Sequence, residues 1–223
     1  MSPQLEALFL RSVAATAEKQ AHLSALIGQR PWQVDLAACL IAFGDDLRWQ
    51  IQLLGTESLI TETWLWAWAN PVAHFPSAVV AASQTLRQYG ANHGLEELSG
   101  GPLPLAQLNG HDAAVIATGV LGAAAYYRGP YQGGAAYFLI TDPAFPAKTG
   151  DPVLRLTVGF PQATAAYPIG DHRAAFEGFV EYLGLRHTSQ NGNVTVQRDG
   201  ATVATASFDQ QKRLVNLSSH LGP

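Results

Sequence analysis

Two stretches of the chain hold side chains that could handle a ligand. The first is Thr63-Trp64-Leu65-Trp66-Ala67-Trp68-Ala69-Asn70. In an extended chain successive side chains alternate, so Trp64, Trp66 and Trp68 would share one face and Leu65, Ala67 and Ala69 the other. Such a row of indoles could wall a cleft and stack a sugar, a base or a flat metabolite; it equally suits a central strand packed under helices. Asn70, directly before Pro71, would project its amide at the rim of a sheet. The second stretch gathers Tyr126, Tyr127, Arg128, Tyr131 and Tyr137 around a glycine-rich loop. An arginine among aromatic rings can clamp a carboxylate or phosphate while the rings stack on the rest of a ligand. The same pattern also fits a hairpin with cross-strand aromatic pairs and an exposed arginine. If there is a small-molecule site, it is expected where Trp68 and Asn70 meet Tyr126, Tyr127, Arg128 and Tyr131.

Catalytic signatures are missing. His22, His74, His93, His111, His172, His187 and His220 form no His-x-His, no His-Glu-x-x-His and no Cys/His cluster, so no metal site is expected. Cys39 has no basic neighbour to activate it and sits in an apolar run, which suits packing. There is no nucleophile elbow, no P-loop and no dinucleotide fingerprint, and hence no cofactor is expected. Asp45-Asp46 and Glu96-Glu97 are adjacent in sequence, a spacing that rarely aims two carboxylates at one atom. His111-Asp112 opens a helix, where the acid suits the dipole.

The elements that must position these residues read as α+β, with an antiparallel meander packed against helices. Ser2-Pro3 is a helix start, and Leu5, Phe9, Val13, Ala17 and Ala21 draw an apolar stripe as far as Gly28. From Trp32 the period changes to two. Strands are expected over Trp32–Phe43, Leu47–Leu53 and Thr63–Ala69, with turns at Gly44-Asp45-Asp46 and Gly55. A helix follows over Pro76–Gln88, ended by Gly90 and Gly94, then another from about Asp112 to Gly122. Ala123–Arg128 and Ala135–Thr141 form a hairpin. The proline-rich stretch Asp142–Pro152 is the candidate boundary between a unit of residues 1–142 and one of 143–223, which would pack into the same globule. Beyond it a strand is expected over Val153–Phe160, a helix capped by Asp171, a hairpin turning at Asp199-Gly200, and a last strand at Leu214–Leu217.

Composition limits the partners. Of 223 residues only 13% are charged, against 48% hydrophobic, and the net charge is −4. A chain so poor in charge is either very well packed or meets a partner through an apolar surface, as in a homodimer. Its acidity gives no reason to expect nucleic acid or an anionic membrane as a partner. Charges interrupt the first helix, and no apolar run reaches the roughly 20 residues that span a bilayer, so a soluble protein is expected. The lone cysteine suits a reducing cytoplasm.

The Trp-Leu-Trp-Ala-Trp-Ala-Asn segment, preceded by Leu54-Gly55, resembles the signature of an uncharacterised bacterial domain-of-unknown-function family. Arg87 and Gly90 in the following helix, and Ala125-Tyr126-Tyr127-Arg128-Gly129-Pro130, echo it; the likeness runs from about Pro31 to Thr141. It implies a shared fold and carries no activity, cofactor or site residue with it. The function expected is non-catalytic binding or protein interaction. The alternative is an enzyme on small metabolites whose site is assembled from scattered Arg, Tyr and His residues.

Overall fold

Ser2 starts the first helix as its sequence requires. Its hydroxyl accepts the N–H of Leu5 at 3.4 Å and Pro3 takes the first helical position, so α1 runs Pro3–Ile27. Gly28, at φ 54°, closes it. The computed structural model describes residues 1–70 and 74–219. These divide into two units: one takes residues 1–6 and 20–147, the other residues 7–19 and 148 onward. Helix α1 therefore lends residues to both.

In the first unit the apolar run after Trp32 is not one strand. It is a hairpin, β1 (Trp32–Asp35) and β2 (Leu40–Phe43). The Asp35 carboxylate accepts the N–H groups of Ala37 and Ala38, both at 2.9 Å, and Cys39 adopts φ 55°. A side chain that satisfies its own backbone two residues on makes a turn wherever the apolar pattern would allow a strand. Conversely, the turn expected at Gly55 is absent: β3 runs unbroken from Leu47 to Ser58. Between Leu53 and Gly55 the register against the strand opposite slips by one residue, a bulge. A Cβ on Gly55 would lie 2.5 Å from both the Leu65 carbonyl oxygen and the Trp64 ring. Glycine marks a close approach here, not a chain reversal.

The tryptophan segment also divides. β4 covers Thr63–Trp66, and Ala67–Ala69 form one 3-10 turn closed by the Asn70 N–H on the Ala67 carbonyl. Trp64 and Trp66 are fully buried, but the change of period takes Trp68 off their face. Pro71 lies outside the described residues. Next come α2 (Ser77–His93), α3 (Glu96–Ser99), β5 (Leu103–Pro104), α4 (Gly110–Val120), β6 (Ala125–Tyr131) and β7 (Gly134–Ile140). Gly94, at φ 66°, ends α2, whereas Gly90 is a buried contact inside it against Leu98. The sheet is antiparallel in the order β1-β2-β3-β4-β5, with β7 pairing β3 as well and β6 pairing β7.

In the second unit Val153–Phe160 is not a strand. It lies within α5 (Pro152–Ala166), which starts on the Asp151 carboxylate and buries Val153, Leu156, Phe160 and Ala163. Steps of three and four residues outweigh local apolar density once the Asp-Pro start is recognised. α6 (His172–Tyr182) is capped by Asp171 as expected. The strands β8 (Arg186–Gln190), β9 (Asn193–Arg198), β10 (Ala201–Phe208) and β11 (Leu214–Ser219) form a sheet ordered β11-β10-β9-β8. Its apolar face, with Val194, Val196, Ala204 and Ala206, is buried, as are Phe160, Phe176 and Phe179 of the two helices. The chain is an α+β protein of antiparallel sheets and helices.

Candidate functional site

Pairing decides which chemistry-bearing residues share a face. Tyr137 stands directly opposite Gly55 on β3 and Arg128 on β6, while Glu57 stands opposite Trp64. Glu57, Trp64, Trp66, Arg128 and Tyr137 therefore point to one side of the sheet, and Tyr126, two residues before Arg128, joins them. Helix α4 crosses this face at its first turn. A Cβ on Gly110 would fall 2.3 Å from the Tyr137 ring, so only glycine lets the helix start seat on the tyrosine.

Glu57 is the centre of the cluster. Arg128 donates to its Oε1 through Nη2 at 2.9 Å and through Nε at 3.3 Å. The Tyr137 hydroxyl donates to Oε2 at 3.0 Å and itself accepts from Arg128 Nε at 3.3 Å. The main-chain carbonyl of the same residue, Glu57, accepts the Tyr131 hydroxyl at 3.1 Å. The Glu57 side chain is 8% exposed and that of Arg128 is 34%. A buried carboxylate is tolerable only when its lone pairs are met, and here both oxygens are.

His111, in the first turn of α4, extends the cluster to the surface. Its Nδ1 lies 3.0 Å from the Tyr126 hydroxyl, and its ring meets Tyr137 edge-on at 5.4 Å. Packing on these rings strips water from the imidazole and lowers its pKa; the Glu57 charge opposes this and Arg128 adds to it. Burial, then the charge of Glu57, raises the pKa of Tyr137, which holds its proton on the shared hydrogen bond. Burial alone would lower the pKa of Arg128, but the bonds to Glu57 and Tyr137 outweigh it and hold the guanidinium charged.

The other residues anticipated for a ligand stand elsewhere. Tyr127 points to the opposite side of β6, against Trp32 at 5.4 Å and Phe43 at 4.9 Å. Trp68 lies under the Arg87 guanidinium of α2 at 4.3 Å, its buried Nε1 without a hydrogen-bond partner among the described residues. Asn70 closes the 3-10 turn beside it. Tyr126, Arg128 and Tyr131 do belong to one cluster, but around Glu57. Glu57 carries no signature in the sequence, because 71 residues separate it from Arg128 and no local spacing joins them. His111 was legible only as a helix start. Among the described residues no group of three or more His, Cys, Asp and Glu side chains could hold a metal ion. None of the described helices is long and apolar enough to cross a membrane.

Residues 6–143, which include every member of this cluster, match the family of unknown function DUF6882. The chain belongs to that family. No curated protein and no solved structure matches it. The DUF6882 region thus contains Glu57, His111, Arg128 and Tyr137, and it contains a second surface feature beside them. The β3–β4 and β6–β7 turns lie side by side, joined by the Leu59 N–H on the Gly133 carbonyl at 2.8 Å. Together they expose Leu59 (59%), Ile60 (82%) and Tyr131 (50%). Tyr131 is held there by its hydroxyl's bond to the main-chain carbonyl of Glu57.

Proposed function

We propose that this chain is a non-catalytic interaction protein of the bacterial cytoplasm, and that it docks an apolar surface of a partner protein through the tip formed by Leu59, Ile60 and Tyr131. The observation that carries this reading is the satisfaction of Glu57. With two arginine bonds on one oxygen and a tyrosine on the other, both oxygens of its carboxylate are engaged with fixed partners inside the chain. The ionisable groups that could do chemistry are spent on one another. Beside them the two turns present three large side chains to water, Leu59, Ile60 and Tyr131, the kind of anchor that carries binding energy at protein interfaces. The single cysteine, which cannot form a disulfide within the chain, supports a reducing compartment.

The test is native mass spectrometry of the protein drawn from its own cells. A protein partner that is retained by the natural chain and lost on Ile60→Asp, with the thermal melt unchanged, supports the reading. A second reading, an enzyme on small metabolites, is favoured by the exposed His111 bonded to Tyr126 beside the Glu57–Arg128 pair. A co-purifying metabolite released by His111→Ala, with no partner sensitive to Ile60, would establish that reading instead.

A further inference from the structure

Asparagine followed by glycine is the dipeptide at which a chain most readily edits itself, because no side chain hinders the glycine nitrogen. The sequence holds two such steps, Asn109-Gly110 and Asn191-Gly192, and the fold treats them differently. Asn109 caps α4 and is gripped by both ends of its amide. Its Oδ1 accepts the Asp112 N–H at 2.9 Å, and its Nδ2 donates to Asp112 Oδ2 at 2.8 Å. Gly110 behind it is buried against the Tyr137 ring. Asn191 and Gly192 instead form the two-residue loop between β8 and β9, both in the left-handed region at φ 52° and 78°. Asn191 is exposed, and its amide has no bonded partner among the described residues. The strand leading into it, β8, is the last of its sheet, and Arg186, Thr188, Ser189 and Gln190 all lie in water. Opening such an edge at its turn costs little. Opening the start of α4 means breaking its cap and unseating Gly110 from Tyr137.

We propose that Asn191 is a site of spontaneous modification, at which the folded chain converts asparagine to isoaspartate and aspartate while Asn109 is spared. When the turn opens, the main-chain nitrogen of Gly192 attacks Cγ of Asn191. A new C–N bond closes a succinimide ring and the bond from Cγ to the amide nitrogen breaks. That nitrogen leaves as ammonia, taking up the proton that the Gly192 nitrogen gives up through water. Water then opens the ring. Attack at Cγ breaks the new bond and yields an aspartyl residue. Attack at the main-chain carbonyl of Asn191 leaves Gly192 joined through the side chain, an isoaspartyl linkage with one extra carbon in the main chain. The net change is one water consumed, one ammonia released and one negative charge gained. Its effect falls on this end of the sheet. The turn sets the pairing of Gln190 with Asn193, and the Gly192 carbonyl accepts the Phe208 N–H at 3.1 Å. An extra main-chain carbon lengthens a loop fitted to two residues and shifts both contacts. This inference stands on the second unit and is independent of the tip.

Incubation of the folded chain for weeks at neutral pH, followed by proteolysis and mass-spectrometric mapping, tests it. The peptide carrying Asn191 is expected to gain the mass of one deamidation at least about tenfold faster than the peptide carrying Asn109. The converted peptide should also accept a methyl group from an isoaspartyl carboxyl methyltransferase, which esterifies only the side-linked form. In denaturant, where cap and turn are both lost, the two sites should convert at similar rates, so that the difference in the folded chain belongs to the fold. Asn191→Gly keeps a residue suited to positive φ but has no Cγ, and should abolish modification at that position. The turn at Asp199-Gly200 shares the left-handed geometry, but an aspartate releases no ammonia and gains no mass, so mapping keeps it apart. An Asn191 that stays intact in the folded chain, an Asn109 that converts there as fast, or a gain of mass at Asn191 with no methyl acceptance overturns the proposal.

Discussion

Among the described residues two buried carboxylates pair with arginine, and the two are built differently. In the second unit Glu18 meets Arg155 fork to fork, with one nitrogen on each oxygen, and the side chains are 8% and 18% exposed. In the first unit Arg128 places two nitrogens on a single oxygen of Glu57 and leaves the other to Tyr137. The fork is self-sufficient and joins two helices. The Glu57 arrangement is shared: it involves a tyrosine, with the surface His111 packed on Tyr137. The same pair of charges thus serves as a clasp in one unit and as the hub of a polar network in the other. Hydrogen bonding to Glu18 raises the pKa of Arg155, whereas for Arg128 the bonds must first overcome burial.

This contrast can be broken most decisively at the arginines. Arg155→Ala strands Glu18 with no other bonded donor among the described residues and is expected to cost about 3–5 kcal/mol in thermal or denaturant unfolding. Arg128→Ala leaves Glu57 the Tyr137 hydroxyl and more access to water, and is expected to cost about 1–2 kcal/mol. Equal losses would erase the distinction between clasp and hub. Next in size is Gly110→Ala, whose methyl group would overlap the buried Tyr137 ring. A loss of about 2 kcal/mol is expected, together with a near-ultraviolet dichroism change as the ring is displaced. Tyr137→Phe removes one donor from Glu57 and should cost about 1 kcal/mol while leaving the arginine pair intact. An unchanged melt there would mean that Glu57 does not need the tyrosine.

The smallest effect is one of pH. The folded pKa of His111 lies below its ordinary 6.5. Protons therefore favour the unfolded chain, and this contribution to stability is full above pH 6.5 and declines as the pH falls below it. His111→Gln is expected to flatten that part of the stability profile, and the His111 resonances in a nuclear magnetic resonance titration should show a midpoint below 6.5. A midpoint above 6.5 would place Glu57, and not burial, in control of the ring.

Local signals were legible and distant ones were not. The Ser2-Pro3 start, the Asp171 cap and the Asp199-Gly200 turn each depend on a few neighbouring atoms, and each stands where the sequence puts it. The errors fell where one local signal hid another. Apolar density masks the Asp35 turn and the Asp151-Pro152 helix start, and Gly55, needed for its close approach to Trp64, carries the same local signature as a turn glycine. The cluster was only half legible. Tyr126, Arg128 and Tyr131 lie within one hairpin and could be grouped by eye, but Glu57 reaches them only because β7 is laid between β3 and β6. No spacing in the sequence encodes that insertion.

That insertion has a consequence for how the chain is made. One edge of β3 is filled early, by β2 just before it and β4 just after it. The other edge waits for Gly134–Ile140. At roughly 5–20 residues per second, the translating ribosome takes about 4–15 s to pass from Ser58 to Gly134. Throughout that interval a nascent chain carries a strand of 12 residues with one side open to any other strand it meets. Shielding of that edge during synthesis, by a chaperone or by slow exit from the ribosome tunnel, is thus part of what this topology demands of the cell.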